Sequence, residues 1–129
     1  MRPATAGATA AIVWAALEPL DKRLFRLDYS DVALLGKGVT RSRLWPVAGL
    51  ALHAANGAAF GVAASRLRVS PLALALVENA ALFPFTYLTD RHHPARGSRG
   101  LAPIFNTRGF AQATARHAVF GALVGKLAR

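Results

Sequence analysis

The chain has 129 residues, 53% of them hydrophobic, and its mean hydropathy is +0.31, an apolar share above that usual for a soluble domain. It contains no cysteine, which excludes disulfides, thiolate metal sites and thiol catalysis. The Lys and Arg residues behind the net charge of +10 lie mainly between long apolar segments that contain few charges, a distribution that favours loops facing anionic lipid headgroups over a nucleic-acid surface.

Four apolar segments follow one another, at residues 5–20, 44–65, 71–89 and 109–127. The first carries Glu18 near its end and is a little shorter than the roughly 20 residues that cross the hydrocarbon untilted. The second has no charged side chain and begins with Trp45-Pro46, an interfacial aromatic residue followed by a proline suited to a first helical turn. This second segment is the strongest predicted span.

The third segment, 71–89, contains Glu78 and Asn79 near its middle and Pro84 further along. Proline removes a backbone donor, so we expect a kink there. The short basic link 66–70 places this segment in an antiparallel hairpin with the second one.

The fourth segment, 109–127, is interrupted by Gln112, Arg116 and Lys126. A lone arginine near a helix centre costs about 2.5 kcal/mol or more to insert, so this segment needs the other three as neighbours. We expect Arg116 to pair with Glu78 of the third segment.

The two long connections, 21–43 and 90–108, carry ten of the sixteen Lys and Arg residues. The positive-inside rule therefore places both connections in the cytoplasm and both termini outside, in a multi-pass protein of the bacterial inner membrane. Within the first connection, Asp31–Gly36 reads as a capped turn or two of helix ended by glycine, at the level of the headgroups.

One pattern, His-Ala-x-x-Gly-Ala-x-x-Gly, occurs twice, 64 positions apart, and its histidines and glycines are His53, Gly57, Gly61, His117, Gly121 and Gly125. The positions shared by the two copies occupy one helical arc of roughly 160°. Such a small-residue face lets another backbone approach closely. We therefore predict two duplicated helix hairpins, with segments two and four packed together through these faces.

Seven polar side chains lie inside or at the edges of the predicted spans: Glu18, His53, Asn56, Glu78, Asn79, Arg116 and His117. Ionisable groups at membrane depth face a partner or a water-filled cavity. Pairing and interhelical hydrogen bonds are the favoured interpretation. The alternative is that two imidazoles and Glu78 hold a cation or relay protons, although no metal site or cofactor is predicted from the spacing.

A polar cluster, Asp90-Arg91-His92-His93-Pro94, lies where the third segment leaves the membrane. Its favoured interpretation is a helix end whose basic side chains suit the helix dipole and contact lipid phosphates. The alternative is an interfacial enzyme site at Asp90, His92 and His93. No nucleophile-elbow serine, glycine-rich phosphate loop or His-Glu-x-x-His motif occurs, so an enzyme is the less favoured class.

Four stretches carry a resemblance: Leu17-Glu18-Pro19-Leu20-Asp21, His53-x-x-Asn56-Gly57-x-x-x-Gly61, Asp90-Arg91-His92-His93-Pro94-Ala95 and Arg116-His117-x-x-x-Gly121. Together they resemble small uncharacterised four-span bacterial membrane proteins. The resemblance implies the four-span architecture and no activity.

The sequence thus predicts an all-α chain forming one membrane domain, residues 1–129, built as a four-helix transmembrane bundle. An alanine-rich soluble bundle is the competing class, but it would need a charged face on each helix, which segment two lacks. The expected function is a helix-packing or assembly module that associates with itself or another membrane protein in an anionic bilayer. Proton- or cation-coupled transport by an oligomer and an interfacial Asp/His enzyme are the alternatives.

Overall fold

The computed structural model describes residues 1–129, which form helices and connecting turns with no strand beyond one isolated bridge between Tyr29 and Leu101. The helices are α1 (Pro3–Phe25), α2 (Asp31–Val39), α3 (Trp45–Leu67), α4 (Pro71–Leu82), α5 (Thr86–His92) and α6 (Thr107–Leu127). A 3-10 turn, Phe83–Phe85, joins α4 to α5, so these two helices form one interrupted rod. The all-α prediction is confirmed.

Local sequence explains where the helices begin and end. Pro3, Pro46 and Pro71 occupy first-turn positions, where a missing N–H removes no helical bond. The side chains of Ser30, Ser70 and Asn106 accept hydrogen bonds from the N-terminal amides of α2, α4 and α6. The interruption expected at Pro84 is the 3-10 turn.

Several helices extend beyond the predicted segments, and two of these extensions affect the packing. The helix α1 continues through Pro19 to Phe25, five residues past the predicted end, and α2 continues past Gly36 to Val39. Tertiary contacts override the local signals here. The last turns of α1 contribute two buried carboxylates: Glu18 binds Ser30, the residue before α2, and Asp21 binds Arg116 of α6.

Two helical rods, Trp45–Leu67 and Pro71–His92, are long and apolar enough to cross a membrane. Only 28% and 11% of their most apolar windows are buried, so these rods are mostly exposed, unlike the core helices of a soluble protein. The helices α1 and α6 do not reach the same apolar content, because each carries several charged side chains.

The four long helices lie in the order α3, α1, α6, α4. The helix α3 packs along α1, α6 packs along α4, and α1 contacts α6 in the middle. The helices α3 and α4 have few contacts with each other despite the short link between them. The hairpin expected between segments two and three is therefore splayed.

The glycine faces pack differently from the prediction, which joined segments two and four. Gly57 lies against the backbone of Gly7 on α1, and a Cβ there would also come within 2.7 Å of the Ala11 Cβ. Gly61 lies against the Pro3 backbone at the start of the same helix. The predicted pairing of segments two and four through glycine is wrong, because α1 occupies the glycine face of α3.

The corresponding glycines of α6 pack against α4. A Cβ on Gly121 would lie 2.7 Å from the Leu72 Cα and 2.9 Å from the Ala75 Cβ, whereas one on Gly125 would meet nothing nearer than Pro71 at 3.9 Å. Gly121 follows Gly57 by 64 positions. The two residues that it contacts, Pro71 and Ala75, likewise follow by 64 positions the residues that Gly57 contacts, Gly7 and Ala11. The backbone contacts thus recur at the same interval as the sequence pattern.

The two long connections pack against each other and form a cap, residues 26–44 and 93–106, at one end of the bundle. Ser30 donates its N–H to the Gly100 carbonyl and Ala102 donates to the Asp28 carbonyl, at 2.8 and 3.0 Å. A small core of Tyr29, Ala33, Ala95, Leu101 and Ile104 fills the cap. At the opposite end, the Met1 ammonium group donates to the Leu127 carbonyl at 2.9 Å.

Candidate functional site

A cavity of about 210 Å³ lies between α1, α2, α3, α4 and α6, near the middle of the long helices. Its walls combine aromatic, aliphatic, acidic and basic side chains. The lining residues are Ala11, Trp14, Asp31, Leu34, Leu35, His53, Asn56, Gly57, Phe60, Glu78, Arg116, His117 and Phe120. Five of the seven predicted intramembrane polar residues therefore meet at one place.

Arg116 is the most heavily bonded side chain of the site and is 4% exposed. Its Nε and Nη2 donate to the two carboxylate oxygens of Asp21 at 2.5 and 2.9 Å, a bidentate pair. Its Nη1 donates to Asp31 at 3.0 Å and its Nη2 also donates to the Tyr29 carbonyl at 2.7 Å. The guanidinium carbon lies 5.3 Å from the ring centroid of Trp14.

The predicted pair between Arg116 and Glu78 is wrong, since the ion pairs of Arg116 go to Asp21 and Asp31. The reason is the extension of α1 beyond Pro19, which carries Asp21 to the guanidinium, and the helical start of α2, which carries Asp31 there. Glu78 lines the same cavity but makes no hydrogen bond or ion pair within the chain. It is the free carboxylate of the cavity.

Asp31 lies at the first position of α2, with its side chain about one third exposed. Burial disfavours its charged form, but the positive charge of Arg116 and the neighbouring imidazoles of His53 and His117 outweigh this effect and lower the pKa of Asp31 below its usual value. Asp31 therefore places a negative charge on the wall of the cavity near neutral pH.

His53 and His117 come from equivalent positions of the two sequence repeats and line the same cavity. The Nδ1 atom of His117 lies 2.8 Å from the Ala113 carbonyl, so that nitrogen carries a proton and donates it. The Nε2 atom of His53 is buried and has no hydrogen-bond partner. The Nε1–H of Trp14, a residue that is 5% exposed, is also buried and without a partner. Unpaired polar atoms in buried positions are infrequent in proteins.

Of the remaining polar candidates on the spans, Asn79 and Glu18 make structural hydrogen bonds through their side chains, whereas Asn56 makes none. Asn79 donates from its amide to the Thr114 hydroxyl at 2.9 Å and ties α4 to α6, while Asn56 lies exposed on the cavity wall. Glu18 accepts from the Ser30 hydroxyl at 2.6 Å and from the Asp31 N–H at 2.9 Å. Glu18 thereby fixes the start of α2, and with it Asp31, against α1.

The interfacial cluster does not converge on one site. Asp90 accepts from the amides of Ile104 and Phe105 at 3.0 and 2.8 Å, which holds the segment before α6. The Nδ1 of His93 accepts from the Ala95 N–H, so its Nε2 carries the proton and donates to the Leu34 carbonyl at 2.9 Å. His92 is exposed. Two of the three side chains thus fasten the cap.

The cavity and the groups directly bonded to it carry an excess of negative charge. Asp21, Asp31 and Glu78 face one guanidinium, that of Arg116, which leaves two carboxylates without a cation when the histidines are neutral. Entry of a cation would balance this charge. No three His, Asp or Glu side chains lie close enough together to hold a metal ion.

Three residues of the site do not stand out in the sequence as parts of it. Asp21 and Asp31 belong to the polar connection that the hydropathy pattern separates from the spans, and Trp14 is one aromatic residue in an apolar segment. One signal could have identified Trp14: it lies 64 positions before Glu78, at the interval that relates His53 to His117. Comparisons with protein-family models, with curated proteins and with solved structures find no match to this chain.

Proposed function

We propose that the chain is an integral membrane protein in which α1, α3, the α4–α5 rod and α6 all cross the bilayer. The distribution of polar and apolar groups supports this: Val77 and Phe85 are 64% and 62% exposed, whereas Gln112 and Arg116 are 0% and 4% exposed. Contiguous exposed apolar surface of this kind marks contact with lipid or protein. A polar interior surrounded by apolar helices suits a bilayer.

In this arrangement the cap faces the cytoplasm and the chain ends lie on the other side. The cap and the adjoining helix ends carry ten cations, which suit anionic headgroups and the positive-inside rule: Lys22, Arg23, Arg26, Lys37, Arg41, Arg43, Arg91, Arg96, Arg99 and Arg108.

We also propose that the bundle consists of two duplicated hairpins, α1 with α3 and the α4–α5 rod with α6. The recurrence of glycine contacts after 64 residues supports the duplication. The cavity wall repeats in the same way, since Trp14 corresponds to Glu78, His53 to His117 and Asn56 to Phe120. Each half contains two crossings, so the halves point the same way and their relating axis runs along the membrane normal.

The function that this geometry supports best is proton-linked binding and transport of a cation through the central cavity. The main support is the cavity itself, which brings free Glu78 and two histidines together beside a cluster in which Arg116 already has two carboxylate partners. Histidine changes charge near neutral pH, so it can exchange a proton for a bound cation. Four crossings are few for a carrier, and we propose that an oligomer is the working unit.

Two features favour this function over the alternatives. The glycines of α3 that would make an assembly face contact α1 within the chain, so they are not free to bind a second protein. For an interfacial enzyme, Asp90 and His93 would have to be free, yet both bind backbone groups of the cap or of the segment before α6.

The test is proton flux in proteoliposomes that enclose a pH-sensitive dye, with a cation gradient imposed across the membrane. We expect a cation-driven pH change that Glu78→Gln and His53→Gln each reduce by about tenfold or more, because each removes one exchanging group. His92→Gln is the matched control, since it changes the same residue type on an exposed surface outside the cavity.

Equal flux in wild-type, Glu78→Gln and protein-free vesicles would contradict transport through this cavity. A flux that falls equally in His92→Gln would instead show that the effect is not specific to the cavity.

A further inference from the structure

We propose that the cation recognised by the cavity is a small quaternary ammonium ion. This inference rests on the proposed function only in taking the cavity to bind a cation. It goes further by naming the chemistry of the ligand, which follows from the charge, the walls and the volume of the cavity.

The charge of the cavity selects a cation. Arg116 already has two carboxylate partners, so it offers little attraction to an anion, while Glu78 has no partner. A ligand anion would add to the existing negative excess of Asp31 and Glu78. A single positive charge beside Glu78 reduces that excess.

The walls of the cavity select an organic cation over a metal ion. Calcium and magnesium take about six or more oxygen ligands, whereas the side-chain oxygens facing this cavity are those of Glu78, Asn56 and partly engaged Asp31. Three aromatic side chains, Trp14, Phe60 and Phe120, line the same space. Aromatic walls with one carboxylate are the surroundings that quaternary ammonium groups bind through cation–π attraction.

The two phenylalanines form one aromatic corner. Phe60 of α3 and Phe120 of α6 pack edge to face with ring centroids 4.9 Å apart. The rings that already contact a cation are those of Trp14, Tyr29, Trp45 and Tyr87, so Phe60 and Phe120 have none. An ammonium group in the cavity would therefore find two aromatic side chains that no arginine or lysine occupies.

The volume limits the size of the ion. The cavity of about 210 Å³ is somewhat larger than the roughly 150 Å³ cavity that holds benzene and smaller than the roughly 300–1,000 Å³ of drug-sized sites. Tetramethylammonium, with five non-hydrogen atoms against six in benzene, is therefore small enough for this space, whereas tetrabutylammonium, with seventeen, is too large. A quaternary group also brings no N–H donors that would need more acceptors than the cavity offers.

Protons and the ammonium ion would compete for the cavity. The charged or titratable groups facing His53 and His117 are Asp31 from α2, Glu78 from α4 and Arg116 from α6. Protonation of either imidazole removes part of the negative excess that attracts the ligand. Affinity for the ammonium ion should therefore be lower when an imidazole of the cavity is protonated.

The test uses the full-length protein in detergent, with Trp45→Phe as background so that Trp14 is the only tryptophan. We expect tetramethylammonium chloride to change Trp14 emission saturably at pH 8, and potassium chloride or tetrabutylammonium chloride at equal ionic strength to give no saturable change. Glu78→Gln should weaken binding by about tenfold or more through loss of the counter-charge, and Phe60→Leu by about threefold to tenfold through loss of cation–π attraction.

Controls keep the outcomes distinct. Each variant must keep the far-UV circular dichroism spectrum of the background protein, and His92→Gln should bind as the background does. Saturable binding that Glu78→Gln and Phe60→Leu both weaken supports the inference. Proton flux driven by potassium or sodium, without any tetramethylammonium response, overturns the inference but leaves the proposed function standing. Tetramethylammonium binding without proton flux overturns the proposed function and not the ligand class.

Discussion

Replacing Arg116 by methionine tests the central ionic cluster, and its effect can be worked out from the bonds that it removes. The substitution deletes two bonds to Asp21, one to Asp31 and one to the Tyr29 carbonyl. The Asp21 side chain, 9% exposed, is left without a cation. Breaking a buried pair from one side costs about 3–5 kcal/mol, and two charge-assisted bonds at about 1.5–3 kcal/mol each give a similar sum.

The assay is the free energy of unfolding, measured by titrating detergent-solubilised protein with sodium dodecyl sulfate and following far-UV circular dichroism. Arg116→Met is combined with Asp21→Asn in one double-mutant cycle and with Glu78→Gln in a second. We expect a clearly larger coupling in the first cycle, because Asp21 binds Arg116 directly and Glu78 does not. A larger coupling to Glu78, or a loss below about 1 kcal/mol for Arg116→Met, would refute this description of the cluster.

Three further outcomes are expected. Gly57→Ala should destabilise the protein by about 1–3 kcal/mol because its Cβ enters the Gly7 backbone. Gly125→Ala, with open space inside α6, should not destabilise the protein and should gain up to about 1 kcal/mol from helix propensity; equal losses in the same unfolding assay would contradict the packing. Asp31→Asn should lower the melting temperature at pH 7. The difference in melting temperature between wild type and variant should shrink as the pH falls below about 4, because a lowered pKa contributes stability that acid removes. A difference that does not depend on pH would contradict an ionised Asp31. A reporter fused after Arg129 should be active only outside the cytoplasm, and cytoplasmic activity would reverse the proposed orientation.

The helical class and the approximate positions of the long helices could be predicted from hydropathy alone, because four apolar stretches are separated by basic, glycine- and proline-containing connections. Pro84 also gave the interruption of the third rod, since proline removes a donor wherever the helix lies. These features depend on local sequence and need no knowledge of neighbours.

The partners of the glycines and of Arg116 could not be predicted in the same way. A small-residue face indicates that a backbone comes close but does not say which one. In this chain it is the first helix of the same half, α1 for the glycine face of α3 and α4 for Gly121 of α6. The carboxylates that bind Arg116 lie in a stretch whose polarity predicts a loop. Asp21 reaches the site because α1 continues past Pro19, and no local signal in the sequence predicts that continuation.

The splayed arrangement of α3 and α4 has a mechanical consequence. Within each pair, α1 with α3 and α4 with α6, glycine contacts bring the helix backbones together. The pairs are joined at one end by residues 68–70, where Arg68 adopts a left-handed backbone conformation with φ of 55°. At the other end, the connections of the two pairs pack together in the cap. Moving one pair against the other to change the width of the cavity would therefore act on both of these joints and on the ion pair between Arg116 of α6 and Asp21 of α1.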